Sequence, residues 1–240
     1  MSALILVDVQ NDFLPPTGTL AVPGGHLIIA PVLRLLSRPF DLVVASQDYH
    51  PRNHVSFATS HARRSPFESI VIPHPVTQVA TKQELWPDHC VRNSRGAEFE
   101  EQVSVEIERR VRAGKAVVVR KGEDVELDAY SAFSKPLEVL RAERGGKARE
   151  QPLTTLLRRA NIKVLVVAGL ATDFCVRATV LSALAESAQL PRSEQWRVFV
   201  VREAVRGVHV EREDQVLNEL EAEGARIVSV DGPELEALSL

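Results

Sequence analysis

The sequence is poor in three features that would assign it to whole classes of protein. It has two cysteines, Cys90 and Cys175, in 240 residues, which argues against a disulfide framework. No apolar run approaches the roughly twenty residues that a membrane-spanning helix needs. The formal net charge is −3, so the chain lacks the basic footprint of a nucleic-acid-binding protein.

The first residues also lack the basic segment and the small-residue cleavage site of a signal peptide. The apolar run that begins at Ala3 instead has the composition of a buried strand. A reducing cytoplasm would keep both cysteines as thiols. We therefore expect a cytoplasmic protein with no membrane or nucleic-acid partner. The composition leaves open whether the chain is monomeric or forms a homo-oligomer.

Short apolar runs rich in β-branched residues alternate with helical patterns along the chain. The predicted strands are 3–8, 41–46, 116–120, 163–168, 197–201 and 226–230, and the predicted helices are 26–38, 97–113, 152–160, 175–188 and 211–223. This alternation predicts an α/β fold with a doubly wound, mainly parallel six-stranded sheet and helices on both faces. We expect one domain over residues 1–240, with a polar insert at about 59–75 and a charged loop at about 141–151.

Three of the predicted strands end in groups that can react. Asp8 ends the first strand, Lys121 follows the run 116–120, and Cys175 stands between a strand and a helical pattern. Parallel strands bring such groups to one edge of a sheet, where a cation and a helix N-terminus favour a thiolate and a carboxylate can accept its proton. The three residues together predict a cysteine hydrolase. Taken singly, each residue could have a purely structural role. Cys175 could be a small buried hydrophobe, Asp8 a turn cap and Lys121 a solvated charge.

A fourth strand end carries a candidate metal site. Asp48 and His50 are two residues apart in an extended stretch, so their side chains point the same way. His54 follows after a proline-containing turn, and His89 lies in the segment Trp-Pro-Asp-His-Cys. One carboxylate with two or three imidazoles suits Zn, Fe or Mn and leaves positions open for water or substrate. The alternative is that these histidines satisfy local turns.

The motifs occur in the order of a known family and span most of the chain. They are Leu6–Phe13, Ser46–Phe57, Leu85–Val91, Lys121–Gly122, Asp128–Phe133 and Gly169–Val176. The sequence resembles the nicotinamidases, pyrazinamidase type included, of the isochorismatase-like cysteine hydrolase superfamily. The Asp-x-His and Trp-Pro-x-His-Cys segments distinguish nicotinamidases within the superfamily, because relatives such as carbamoylsarcosine amidases do not typically carry that pair.

The resemblance implies a reaction and its catalytic groups. Nicotinamide and water would give nicotinate and ammonia in NAD salvage, through a thioester on Cys175, with pyrazinamide as a further substrate. Asp8 would take the thiol proton and later protonate the departing ammonia, and Lys121 would stabilise the charges. Backbone N–H groups of Ala171 and Cys175 would form the oxyanion hole, with a cis peptide between Ala171 and Thr172.

The resemblance also implies a metal and a ring-binding pocket. One divalent transition metal, zinc above all and otherwise Fe or Mn, would be bound by Asp48, His50 and His89, with His54 as a candidate fourth ligand. The metal would hold the pyridine nitrogen of the substrate. The ring slot would be lined by aromatic residues whose alternative role is core packing: Phe13, Trp86 and Tyr130.

Two other functions remain open at the level of sequence. The chain could be a different amide or carbamoyl hydrolase of the superfamily, acting without a substrate-binding metal. It could also be a catalytically silent binding protein that keeps the fold. The intact set of Asp8, Lys121 and Cys175 disfavours a silent protein, because a binding scaffold needs no such set of reactive groups.

Overall fold

The strands of the protein form one parallel sheet and one separate hairpin. The computed structural model describes residues 1–143 and 152–239. The strands in this part of the chain are β1 (Ser2–Val7), β2 (Leu42–Asp48), β3 (Ser69–Pro73), β4 (Ala80–Glu84), β5 (Ala116–Lys121), β6 (Val164–Leu170), β7 (Arg197–Arg206) and β8 (Arg226–Val228). Six of them make a sheet in the order β5-β2-β1-β6-β7-β8. Every neighbouring pair in this sheet is parallel.

Helices cover both faces of the sheet. They are α1 (Ile29–Ser37), α2 (Glu101–Arg112), α3 (Leu137–Glu143), α4 (Pro152–Arg159), α5 (Arg177–Ala188), α6 (Glu213–Ala222) and α7 (Pro233–Glu236). Side chains alternate along β1, so Leu4 and Leu6 enter the core beneath α1 and α2. Ile5 and Val7 enter the opposite core, beneath α4, α5 and α6. Both faces of β1 are therefore buried, which explains its continuous apolar sequence.

The predicted doubly wound α/β fold is confirmed. Numbered along the chain, the six sheet strands have the spatial order 3-2-1-4-5-6. The order reverses between β1 and β6, and ligands of such folds bind at the carboxyl ends of the strands beside that point. Asp8 follows β1 directly, and the turn that carries Cys175 follows β6. The topology thus brings these two residues to the position where a site is expected.

The predicted polar insert at about 59–75 contains a strand that the sequence patterns did not reveal. Residues 69–73 are β3, which pairs antiparallel with β4 in the register Ser69 to Glu84 through Pro73 to Ala80. The run Ile-Val-Ile in β3 is β-branched and favours a strand. Its side chains alternate between exposed and half-buried, so the strand lacks the buried stripe that identifies the sheet strands by sequence.

The charged loop was predicted to begin at about residue 141, but residues 141–143 are the last turn of α3, a helix that the sequence patterns did not reveal. Residues 144–151 of the predicted loop lie outside the described residues. The predicted helix at 175–188 begins two residues later, because Cys175 lies in a wide turn at Thr172–Val176. Within the described ranges, no helix combines the length and the apolarity that crossing a bilayer requires.

Candidate active site

Cys175 lies in the turn that joins β6 to α5. The peptide bond between Leu170 and Ala171 is cis, one residue earlier than the family resemblance implied for Ala171 and Thr172. The chain then makes the wide turn Thr172–Val176, and the amides of Phe174 and Val176 both donate to the Ala171 carbonyl at 3.1 Å. The Cys175 side chain is buried at the base of a pocket.

Lys121 lies at the centre of the buried polar groups. Its Nζ is 2.9 Å from Asp8 Oδ2 and 3.4 Å from Cys175 Sγ. It also donates to Asp48 Oδ1 and to the Ala129 carbonyl. The structure therefore brings the three strand-end groups together, with the ammonium between both carboxylates and the thiol. Although burial disfavours its charge, these carboxylates raise the pKa of Lys121 well above its usual value.

Asp8 is fully buried and adopts a left-handed backbone conformation, with φ of 47°. Ser46 Oγ donates to its Oδ1 at 2.7 Å. Burial raises the pKa of Asp8 from 3.8 to about 6, against the opposing effects of Lys121 and Ser46. Asp8 Oδ2 faces the Lys121 ammonium, with 2.9 Å between Oδ2 and Nζ. An ionised carboxylate beside a thiol is poised to accept a proton.

The electrostatic balance around Cys175 favours the thiol. Burial, together with the carboxylates of Asp8 and Asp48, raises the pKa of Cys175 well above its usual value, although Lys121 acts in the opposite direction. A protonated thiol needs a base to accept its proton, which is the role that the family resemblance implies for Asp8. Carboxylate oxygens of Asp8 and Asp48 lie within 4.8 Å of the sulfur and of one another.

A second cluster adjoins the first through Asp48. Its Oδ2 lies 3.7 Å from His50 Nε2 and 4.0 Å from His89 Nε2. Ligand atoms bound to one zinc ion at ~2.0–2.2 Å are separated by roughly 3–4 Å. All three side chains are buried. These donors therefore fit one divalent cation.

The outer ring nitrogens fix the tautomers of both histidines. Nδ1 of His50 donates to the Gly122 carbonyl at 2.9 Å, and Nδ1 of His89 donates to the Pro87 carbonyl at 2.8 Å. Each Nε2 lone pair is then directed towards Asp48, which is the second-sphere pattern of metal-binding histidines. Burial lowers the pKa of His89 to about 4, whereas for His50 the charge of Asp48 outweighs burial and raises the pKa. His89 is thus neutral at physiological pH, as a metal ligand must be.

His54 lies behind His50 and not beside Asp48. Its ring stacks on the His50 ring with centroids 4.1 Å apart. Both of its nitrogens are engaged, with Nδ1 2.7 Å from Ser56 Oγ and Nε2 3.3 Å from the Leu127 carbonyl. Together with Asp128, it is close enough to His50 to make a second group of donor atoms. The present contacts make His54 a packing partner of His50.

The pocket above Cys175 is small and mostly apolar. Its cavity volume is about 40 Å³, well below the ~300–1,000 Å³ typical of small-molecule sites. Trp86 Nε1 donates to the Tyr130 hydroxyl at 3.0 Å, which fixes two of the aromatic walls. The residues that line it are Phe13, Leu20, Val22, Asp48, Trp86, His89, Tyr130, Ala171, Phe174, Cys175 and Val208. All three predicted pocket aromatics are among them.

Backbone donors also face this region. The backbone amides of Ala171 and Cys175 are the two donors that the family resemblance implies for an oxyanion hole. Both residues line the pocket.

Several residues of the site were missed by sequence reasoning. Ser46 and Gly122 hold Asp8 and His50 from behind, and Leu20, Phe174 and Val208 complete the pocket. Phe174 and Gly122 stand inside quoted motifs, so position beside a reactive residue was an available signal. Leu20 and Val208 lie in loops far from those motifs, and the sequence carries no local signal for them.

Comparison with known proteins agrees with this geometry. The isochorismatase domain family matches residues 2–232. The nicotinamidase of Escherichia coli is 37% identical over 235 residues, which cover 95% of this chain and 94% of the relative. The chain belongs to the isochorismatase family, and it is an amidohydrolase.

Solved structures of related enzymes have the same fold. The yeast nicotinamidase bound to the inhibitor nicotinaldehyde has a TM-score of 0.79 and 27% identity. The match covers 95% of this chain and 100% of the yeast chain. The pyrazinamidase of Pyrococcus horikoshii in complex with zinc has a TM-score of 0.66 and 30% identity over 95% of this chain and 98% of that one.

Proposed function

We propose that this enzyme hydrolyses nicotinamide to nicotinate and ammonia, and pyrazinamide likewise, through a thioester on Cys175. The observation that carries the proposal is the joining of two clusters by Asp48. Lys121 binds one oxygen of Asp48, and the two histidines face the other. Cys175 of the first cluster, His89 of the second and Asp48, which joins them, all line one small apolar pocket. The names of the related nicotinamidases support the same substrate.

The first half-reaction begins with proton transfer from Cys175 to Asp8. A pKa of about 6 leaves Asp8 mostly ionised at neutral pH, so it can accept the proton as sulfur attacks the carboxamide carbon. Lys121 stays protonated and offsets the negative charge of the cluster. The oxygen of the tetrahedral intermediate would be held by the backbone amides of Ala171 and Cys175, two residues that line the pocket. Losing one such donor typically costs ~10²–10³ in rate.

The second half-reaction releases both products. Asp8, now protonated, gives its proton to the nitrogen of the intermediate, and the C–N bond breaks to release ammonia. Asp8 is then ionised again and can take a proton from a water molecule that attacks the thioester carbonyl. The C–S bond breaks, nicotinate leaves, and the thiol of Cys175 is restored.

Asp48, His50 and His89 would hold one divalent metal, with zinc as the proposed ion. The donor atoms fit such an ion. Both imidazoles are buried, with tautomers that leave Nε2 as the ligand atom, and Asp48 Oδ2 lies 3.7 Å from His50 Nε2 and 4.0 Å from His89 Nε2. When bound, the ion would supply a Lewis-acid position for the ring nitrogen of the substrate. His89 and Asp48 both line the pocket, so a ring held there keeps its carboxamide near Cys175.

A direct assay tests this proposal. Purified enzyme is incubated with nicotinamide, and ammonia and nicotinate are measured before and after treatment with a chelator. We expect equal amounts of both products, loss of turnover after chelation, and recovery when zinc is restored. Absence of nicotinate at saturating nicotinamide would reject the substrate. Full turnover of nicotinamide by metal-free enzyme would reject the role of the metal and leave the substrate assignment in place.

A further inference from the structure

Two cavities share walls at the candidate active site. The pocket that Cys175 lines has a volume of about 40 Å³. The neighbouring groove has a volume of about 650 Å³. The residues that line both cavities are Trp86, Phe174 and Val208. These three side chains therefore lie between a small space and a much larger one.

The Phe174 ring is held in place by its neighbours. It meets the Trp86 ring edge-on, with centroids 4.9 Å apart and planes at 89°. It also lies 6.1 Å from the Tyr130 ring and 6.3 Å from the His209 ring. Edge-to-face pairs at such distances are favourable beyond simple burial. Because Phe174 directly precedes Cys175, its position is tied to that of the sulfur.

Val208 is held by a carboxylate on the turn that carries Cys175. Asp173 Oδ1 accepts a hydrogen bond from the Val208 amide, and Oδ2 accepts one from the His209 amide, both at 2.9 Å. Hydrogen bonds to an ionised acceptor are about twice as strong as neutral ones. Asp173 touches neither the sulfur nor the enclosed pocket in the described contacts. Its two bonds join the loop of Val208 to the turn of Cys175.

We propose that Phe174 and Val208 form a size-selective wall that limits the enzyme to single-ring carboxamides, and that Asp173 is the positioning residue of this wall. The proposal rests on the proposed function for the identity of the carboxamide. Removing the wall would join the pocket to the groove. Aryl carboxamides with a substituent on the ring would then fit, their extension lying between Phe67 and Arg177 in the groove.

The kinetic test compares nicotinamide with nicotinamide that carries a phenyl substituent on the ring. We expect Phe174→Ala and Val208→Ala each to shift the ratio of kcat/KM towards the substituted amide by about tenfold or more, since small volume changes in apolar pockets have effects of this size. Asp173→Asn should shift it in the same direction. Asp214→Asn is the matched control, because the Asp214 side chain is 83% exposed. Unchanged ratios in both wall variants would overturn the proposal.

A chemical test is independent of the substrate. Cys175 is alkylated with N-ethylmaleimide and with the bulkier N-phenylmaleimide, and peptide mapping separates its reaction from that of Cys90. The ratio of the two rates cancels any change in thiol ionisation. We expect the wall variants to accelerate the bulkier reagent selectively, whereas Arg212→Ala, at an exposed residue that lines the groove and not the pocket, should not. If the wall variants have the same alkylation ratio as the wild type, the proposed wall is rejected. If their ratio changes but the enzyme does not hydrolyse nicotinamide, only the proposed substrate is rejected.

Discussion

The carbonyl of Gly122 accepts a hydrogen bond from His50 Nδ1 at 2.9 Å, and its Cα packs against the same ring with no room for a side chain. A Cβ at Gly122 would lie 2.2 Å from His50 Cε1. The backbone there has φ of 64°, which glycine adopts at little cost. One residue thus sets both the tautomer and the position of a candidate metal ligand.

Gly122→Ala should therefore displace His50 and weaken metal binding. Loss of a second-sphere partner typically reduces metal affinity by ~10–100-fold. Metal content per chain after dialysis measures the effect. Gly114→Ala is a matched control, because Gly114 has a similar φ of 68° and a Cβ there would meet nothing within 4 Å. Equal metal content in the two variants would contradict the role given to Gly122.

The pH profile should report the ionisation of Asp8. Its pKa is raised to about 6, and only the ionised form accepts the thiol proton. kcat/KM should therefore fall as the pH drops below about 6, approaching a tenfold loss per pH unit. Ser46→Ala removes a hydrogen bond that stabilises the carboxylate, so the inflection should move to higher pH. A profile that stays flat down to pH ~4, where an unperturbed aspartate titrates, would contradict this assignment.

Lys121→Ala should make Cys175 harder to ionise. The ammonium lies 3.4 Å from Sγ and opposes the rise in thiol pKa that burial causes. The pH at which iodoacetamide alkylates Cys175 should therefore increase. Lys115→Ala, at an exposed position six residues earlier in sequence, is the control. An alkylation profile identical to that of the wild type would remove Lys121 from the site.

The metal should contribute to binding of nicotinamide and should leave the reactivity of the Cys175 thiol unchanged. His50→Ala and His89→Ala should each strip the metal and raise KM for nicotinamide, while alkylation of Cys175 continues. Benzamide lacks a ring nitrogen, so its slower turnover should change little on metal removal. His26→Ala, on an exposed turn, should retain the metal. Normal KM in the His50 and His89 variants would contradict the proposed ligand set.

The sequence was sufficient to predict the sheet, because strands such as β1 and β6 are buried on both faces and therefore continuously apolar. It also predicted that Asp8, Lys121 and Cys175 meet at one edge of this sheet, where Asp8 directly follows β1, Lys121 ends β5 and Cys175 lies in the turn after β6. The hairpin of β3 and β4 escaped prediction because its stability depends on pairing and not on a buried stripe.

The electrostatics of the site could not be read from residue types alone. A cysteine beside a lysine suggests a thiolate, but full burial among two carboxylates reverses the balance. The prediction of the pocket residues was likewise incomplete, because Leu20 and Val208 come from loops that only the folded chain brings to Cys175. Such long-range contacts leave no periodic signal in a single sequence.

The central claim is that Cys175 is the nucleophile that hydrolyses nicotinamide, and Cys175→Ala tests it most directly. Ammonia release from nicotinamide is measured for both proteins, and binding of nicotinamide is measured by calorimetry. The account predicts that the variant binds nicotinamide and releases no ammonia above the uncatalysed rate. Residual turnover within about tenfold of the wild type, only ~1.4 kcal/mol of barrier, would contradict it.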